Sequence, residues 1–437
     1  MKTVLAHGCF DLLHAGHLAY FQAAKGLGDR LVVSVTADEY VNKGPGRPCF
    51  PLALRMQMLK ELIIVDNVVT SCHPTAVEVI HQVRPAVYVK GPDYIGVDTP
   101  DLRAEIDAVR AVGGEFVCLD LPAHSSSSLA NRFFVEWSDE QRSALESIKA
   151  LGGMDAIRGA LDKAQKEVQA VVVGECIQDV YRFVRPEGIS SKSPTLSARF
   201  VREETYKGGS WAIYQHMKNF CDVRHAESLV HHKKIRYIAE SGQRLFEVTH
   251  INKEPAQVEA RVLPKHNLLL CADFGHGLIP KNFVTRQFKA LNVQTNSSNY
   301  GFNTFKLKHS IFDFLVVDLR ELQLAYQDRT TPARDLGAWT HAQYMKPIAL
   351  TLGPEGAVLY KDGTAYECPA FCDRVVDATG AGDAFYMLTS LLMKVDAHPL
   401  LTVFLGNVFA GLKAKIIGNK DSVTKESLFR TCEALLK

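Results

Sequence analysis

The ten residues Gly8-Cys9-Phe10-Asp11-Leu12-Leu13-His14-Ala15-Gly16-His17 constrain this chain more than any other stretch. They follow the apolar run Thr3-Val4-Leu5-Ala6, which reads as a buried strand, and precede Leu18 to Lys25, which reads as a helix. Two histidines three apart therefore sit where a helix leaves the C-terminal end of a parallel strand. Open α/β sheets bind ligands at that edge. A helix start offers free backbone amides and the positive end of the helix dipole to an anion. Two imidazoles on one face can both donate hydrogen bonds to a triphosphate. Gly8, Asp11 and Gly16 fall into the same pattern, which argues against two unrelated surface histidines.

A chain of 437 residues is too long for one ordinary core. Its 47% hydrophobic and 22% charged residues are those of a globular protein, and a net charge of +2 makes no electrostatic case for nucleic acid or a membrane surface. No signal peptide is expected, nor an apolar run that spans a bilayer. Ten cysteines are scattered; only Cys368 and Cys372 lie close, without a second pair, so no zinc site is expected. Free thiols in a reducing cytoplasm are the simplest reading. No metal held directly by protein side chains is expected either. His225, His231 and His232 are read as solvated loop histidines.

Two α/β units are predicted, 1–145 and 146–437. In the first, Leu31–Val35, Asn67–Thr70, Ala86–Val89 and Glu115–Leu119 read as strands, with helices at Leu52–Leu62 and Asp101–Val112. Apolar strands separated by helices argue a parallel sheet covered on both faces. Ser138-Asp139-Glu140-Gln141 suits a helix start, and the boundary is placed near residue 145. In the second unit Val168–Val173, Leu268–Cys271, Phe314–Val317 and Ile348–Leu352 read as central parallel strands. Leu196–Arg202 and Lys234–Ala239 alternate, as strands of a small sheet with one wet face do. A large α/β body with a small β lid is expected.

The Gly8–His17 pattern resembles the GxFDxxHxGH signature of the cytidylyltransferase-like nucleotidyltransferases, over roughly the first 135 residues. The resemblance implies a Rossmann-like domain that moves a nucleoside monophosphate from ATP or CTP onto a phosphorylated alcohol or sugar, with magnesium. It makes His14, His17 and Lys43 catalytic candidates, with Gly8, Cys9, Phe10 and Asp11 against the nucleotide and Arg47 and Arg55 near phosphates, Arg55 on the substrate side. Lys90-Gly91-Pro92-Asp93-Tyr94 resembles the KGxDY segment of the heptose-phosphate adenylyltransferases, which assigns Lys90 to the nucleotide and Asp93 to the substrate. Ser125, Ser126 and Ser127 resemble the second signature of that superfamily and can cap a helix while offering hydroxyls to phosphate. Many members carry an arginine before that run. Here the residues are Asp120-Leu121-Pro122, which favours the heptose branch over the glycerol branch.

The other strong signal is Val376-Asp377-Ala378-Thr379-Gly380-Ala381-Gly382-Asp383. Glycines at 380 and 382 let backbone amides turn inward at a helix start and form an anion hole. Asp383 can accept a proton from an attacking hydroxyl. This string resembles the DTGAGD signature of the ribokinase-like (PfkB) sugar kinases, and weaker resemblance extends over 165–437. It implies an ATP-dependent carbohydrate kinase with Asp383 as catalytic base and Gly380, Ala381 and Gly382 around the phosphates. Gly353 and Gly356 fall in the nucleotide-binding turn, Asn407 on the helix bordering adenine, and Asp179, Gly208 and Gly209 against sugar. Asp273-Phe274-Gly275-His276-Gly277 resembles the SDYxKG segment of heptose kinases. The interval after Gly209 is shorter than in that family, and Asp318 stands where an asparagine is common.

Together the two resemblances imply a fusion like the bifunctional heptose enzymes, with the order of the halves reversed. A kinase that makes a sugar or polyol phosphate and a transferase that activates it would share an intermediate. The abbreviated sugar end keeps a second expectation open, a monofunctional nucleotidyltransferase whose kinase-like half serves binding or dimerisation. A homodimer is expected from the way ribokinase-like lids pair.

Overall fold

The structure is a computed structural model that describes all residues except 42–46, 122–136, 227–230, 253–256, 260–262, 281–282, 284–285, 296–301, 307–311 and 373–374. The chain forms two compact units. One comprises Met1–Trp137 with Arg430–Lys437, the other Ser138–Phe429.

The first unit is built on five strands, β1 (Thr3–Gly8), β2 (Arg30–Thr36), β3 (Asn67–Ser71), β4 (Val87–Lys90) and β5 (Glu115–Cys118). They are all parallel in the order β3-β2-β1-β4-β5. Val4 and Ala6 pack into one apolar cluster and Leu5 into another, so successive side chains of β1 are buried on opposite faces. That is why these strands read as unbroken apolar runs. The connecting helices are α1 (Ala15–Lys25), α2 (Leu52–Lys60), α3 (Val77–Val83) and α4 (Pro100–Ala111). The short α3 falls between β3 and β4, where a helix was expected without stated bounds. The chain winds away from β1 in both directions, through β2 on one side and β4 on the other. The C-terminal end of β1 therefore lies at the switch point of the sheet.

The second unit begins with α5 (Asp139–Ala150) and α6 (Gly153–Glu167). Ser138 caps α5 in a reciprocal box with Gln141. Gln141 also donates to the carbonyl of Ala370, which ties α5 to this unit. The division therefore falls at Trp137/Ser138, ahead of the position near 145 read from composition, which lies within α5.

From β6 (Gln169–Gly174) the chain passes through Glu175 alone into β7 (Cys176–Ile189), leaving one sheet for another. A side chain at Gly174 would strike the carbonyl of Ala272, so only glycine fits this exit. The lid contains β7, β8 (Leu196–Gly209), and later β10 (His231–Ala239) and β11 (Arg244–His250), in the order β11-β10-β7-β8. Between them the short interval after Gly209 forms α7 (Ser210–Met217) and β9 (Asp222–Ala226). β9 pairs parallel to β6 at the edge of the large sheet, and the chain then returns to the lid as β10, parallel to β7.

The large sheet continues with β12 (Leu268–Asp273), β13 (Phe288–Val293), β14 (Phe314–Asp318) and β15 (Ile348–Thr351), all parallel. It ends in an antiparallel pair, β16 (Ala357–Lys361) and β17 (Thr364–Cys368). Helices α8 (Leu319–Tyr326), α9 (Ala333–Tyr344), α10 (Ala381–Lys394) and α11 (Pro399–Lys413) complete the unit. Asp318 caps α8 in a box with Glu321, a sufficient local reason for an aspartate there. No helix among the described residues is long and apolar enough to cross a membrane.

Replacing Ser138 by alanine removes the cap of α5. We expect the second unit to lose about 1 kcal/mol, read as a lower denaturant midpoint with an unchanged slope.

Candidate active sites

In the first unit β1 ends at Gly8 and α1 starts after His14. His14 is extended, and its Nδ1 accepts from the Gly16 N–H at 3.1 Å. In the neutral ring that bond places the proton on Nε2. The His17 ring stacks on His14 at 4.0 Å between centroids, and Phe10 meets His17 edge-on at 5.5 Å. Phe10 reaches that position with a left-handed backbone (φ 47°) and buries its ring in the core, so its part in the site is packing and backbone. Gly8, Cys9, Phe10, His14 and His17 all line one cavity of about 280 Å³.

Lys90, at the end of β4, lines the same cavity. It is almost wholly buried and pairs with Glu105 at 3.1 Å. Burial by itself would lower its pKa, but Tyr94 and Glu105 outweigh that and hold it above the usual lysine value. Tyr88 donates to the same carboxylate oxygen at 2.9 Å, and the other oxygen accepts from the Ala76 N–H at 2.9 Å. Lys90 therefore enters the cavity as half of a neutral buried pair. Asp93 is exposed on the rim. His7 also lines the cavity, and its Nδ1 is 3.1 Å from Ser34 Oγ. Burial, and then the charge of Lys90, keep its imidazole well below the usual range and so uncharged. Sequence reasoning passed over His7; its signal was its place next to Gly8 at the C-terminal end of the same strand.

Two expected contacts face elsewhere. The Asp11 carboxylate accepts from Arg47 Nε at 2.6 Å and from the N–H groups of Cys49 and Phe50, each at 2.9 Å. Arg55 is fully buried and donates to the carbonyls of Phe50, Cys9 and Thr36 and to Asp38. Both are frame groups that hold the loops around the cavity, because buried charges must be satisfied by whatever backbone surrounds them. Arg47 joins that frame. Lys43 and Ser125, Ser126 and Ser127 lie outside the described residues.

In the second unit Gly380 is the N-cap of α10 in a left-handed conformation (φ 80°), followed by Ala381, Gly382 and Asp383. Asp383 is buried, and Gln294, just after β13, donates to it at 2.5 Å. Burial raises its pKa to about 6, against the pull of Gln294 and Lys413. Gln294 was not anticipated.

Asp179 on β7 is also buried, but it is paired. Arg236 on β10 donates to it at 2.5 Å and Asn419 at 3.3 Å. A side chain at Gly208 would collide with this carboxylate, and one at Gly209 with the carbonyl of Glu175, so the glycine pair admits the lid strand to close range. Gly356 (φ 98°) brings its turn against the carbonyl of Cys368, whereas Gly353 (φ 60°) faces open space. Asn407 is expected at adenine, but its amide donates to the carbonyls of Cys368 and Pro369, at 2.7 and 3.2 Å. It holds that strand end in place.

His225 and His232 are not solvated loop residues. His225 sits on β9 and bonds Ser210 Oγ at 2.9 Å, while His232 is fully buried on β10 with its ring 4.1 Å from His276. Their polar neighbours in sequence concealed strand positions that point inward. No group of three metal-ligating side chains occurs among the described residues.

Residues 5–138 match the cytidylyltransferase-like family, and residues 293–410 match the pfkB family of carbohydrate kinases. The chain joins a cytidylyltransferase-like domain to a pfkB-family kinase domain. Among curated relatives, the bifunctional protein HldE of Streptomyces coelicolor is 46% identical over 133 residues, 30% of this chain and 28% of the relative. HldE of Chromohalobacter salexigens is 49% identical over 116 residues, 26% of this chain and 24% of the relative. The matched part thus spans about a quarter of each relative. A crystal structure of a ribokinase candidate from Agrobacterium tumefaciens aligns with a TM-score of 0.50 at 16% identity, covering 62% of this chain and 98% of that one. At that identity it speaks for a ribokinase-like fold alone.

Two outcomes follow from this geometry. Glu105→Gln leaves the Lys90 ammonium buried without its counter-charge and should destabilise the first unit by about 3–5 kcal/mol, measured by denaturation. A loss below 1 kcal/mol would mean that Lys90 does not depend on the pair. The second concerns Asp383, whose folded pKa lies above its ordinary 3.8. Its share of stability falls as pH rises from 3.8 through about 6. Its basic form grows over the same window. Phosphoryl transfer that depends on it should therefore lose kcat/KM as pH falls through about 6, and a rate level across the acidic range would contradict its role as base.

Proposed function

We propose that the protein is a bifunctional enzyme. Its second unit phosphorylates a sugar or polyol with ATP, and its first transfers a nucleoside monophosphate from ATP or CTP to the sugar phosphate, releasing pyrophosphate. The observation that carries this reading is the same device in both units. Each has a helix N-terminus just beyond parallel strands, furnished with imidazoles in one and a buried carboxylate in the other.

In the transferase an acceptor phosphate oxygen attacks the α-phosphorus as the bond to pyrophosphate breaks. No covalent nucleophile is needed. His14 and His17 would donate to the oxygens on which charge grows, and the stacking of their rings keeps both at one place. In the kinase an acceptor hydroxyl oxygen attacks the γ-phosphorus and ADP leaves. Asp383 takes the hydroxyl proton, with Gln294 holding its carboxylate. The amides at the start of α10 face the transferring group. Magnesium would supply charge neutralisation in both reactions. The donor set favours its arrival on the nucleotide's own phosphates, because both oxygens of Glu321 accept backbone N–H groups, from Thr295 and Asp318.

A second reading is favoured by the Arg236–Asp179 pair, which engages the carboxylate that the kinase resemblance assigns to sugar. On that reading the second unit binds without phosphorylating. ADP release with ATP and a panel of heptoses, hexoses and polyols separates the two, and silence with every acceptor favours the second. Pyrophosphate release from ATP, CTP, GTP and UTP with candidate sugar phosphates identifies the donor. His17→Ala should lower transferase turnover by about 10²–10³-fold; a near wild-type rate at saturation would exclude the role.

The lid supports a homodimer. Phe200 and Phe246 are 60% and 51% exposed and share a shallow groove with Leu196 and Tyr237. Aspartate at both phenylalanines should shift the mass measured by light scattering from dimer to monomer. A variant that keeps the dimer mass would place the interface elsewhere.

A further inference from the structure

Lys413, the last residue of α11, is fully buried, and neither proposed reaction uses it. Its ammonium donates to the Thr379 carbonyl at 2.8 Å and to the Gly418 carbonyl at 2.6 Å. Asp377 bridges the same two segments, accepting from the Thr379 N–H at 3.0 Å and from the Gly418 N–H at 2.8 Å. The turn before α10 is thus gripped from both sides, by a cation at its carbonyl and a carboxylate at its amide. A side chain at Gly380 would come within 3.2 Å of Lys413 Cε, so the lysine lies directly against the helix cap.

A peptide unit is planar and trans, so its C=O and N–H point in opposite directions. Holding the Thr379 carbonyl on Lys413 turns the Gly380 N–H to the other side of the turn. Without that grip the peptide could flip and present a carbonyl where an anion hole needs a donor. The buried ammonium also adds a fixed positive charge in a poorly screened setting.

We infer that Lys413 is a positioning residue of the kinase site, which sets the polarity of the 379–380 peptide and so selects for the polyphosphate end of a nucleotide. The inference rests on the kinase reading and narrows it. It assigns recognition of the β- and γ-phosphates, rather than of the base, to a residue far from the glycine motif in sequence.

The test is the binding of ATP and AMP to the full chain by calorimetry, in wild type, Lys413→Met and Lys413→Gln. Methionine matches the unbranched stem without charge or donor; glutamine can donate to one carbonyl. In Lys413→Met, ATP affinity at one site should fall about tenfold, the effect of one lost contact to a charged group, while any second ATP site, that of the transferase unit, and AMP affinity stay as in wild type. Lys413→Gln should fall between, and it carries the test if the methionine variant does not fold. ATP and AMP weakening together, or a lower melting temperature with both affinities intact, would reduce Lys413 to a structural role and overturn the inference. A wild-type protein that binds ATP yet phosphorylates no acceptor would remove the kinase activity and leave this inference standing on ATP selectivity. Wild type that binds neither nucleotide would remove both.

Discussion

Parallel pairing of buried strands is the constraint on which both units depend. Parallel strands cannot be joined by tight turns, so each must be followed by a crossover, here mostly helical. Every such helix starts at the same edge of the sheet. The unsatisfied amides of the helix starts, and the positive ends of their dipoles, gather along that edge. In the first unit β1 delivers α1 there, with His14 as its cap. In the second, the edge reached after β13 and β14 brings Gln294 to the buried Asp383 at the start of α10. The chemistry differs, but the physical device is one.

Charge inside these units is handled by pairing rather than exclusion. Lys90 meets Glu105, Arg236 meets Asp179, and Arg55 is surrounded by carbonyls and Asp38. A buried ion is tolerable only when partners replace its water. This separates residues that line a cavity from residues that build it. Asp11 belongs to the second kind, because its oxygens are engaged by Arg47 and two backbone amides. Asp383 is different. It is buried with Gln294 as a neutral partner, and its raised pKa reflects that lack of full compensation. A carboxylate kept reluctant to ionise is better matched to taking up a proton near neutral pH.

Some of this was legible without coordinates. Apolar runs of four to seven residues between helical stretches argued parallel strands, and those read matched all five strands of the first sheet and four of the eight in the large sheet of the second unit, whereas β9, β13, β16 and β17 were not read. The helix start at Ser138 was equally plain, since a serine followed three residues later by glutamine satisfies two amides at once. The misses share a cause. His232 and His225 are polar residues in polar surroundings, and nothing local tells a strand position facing inward from one facing water. Arg55 and Asn407 show a related limit, since both donate to backbone carbonyls in the structure, and a side chain that binds phosphate or adenine and one that binds a neighbouring carbonyl need the same donors.

Local order determined most of the elements, the parallel character of the two large sheets and the two helix starts where anions can be held, because periodicity, glycine placement and capping act over a few residues. Tertiary structure decided which polar groups face those starts and which are absorbed into the frame. Arg55 to Cys9, Gln294 to Asp383 and Lys413 to Thr379 are contacts between distant segments. The direction of each side chain is set by what lies across the sheet or the turn, and only the folded chain brings that partner into reach.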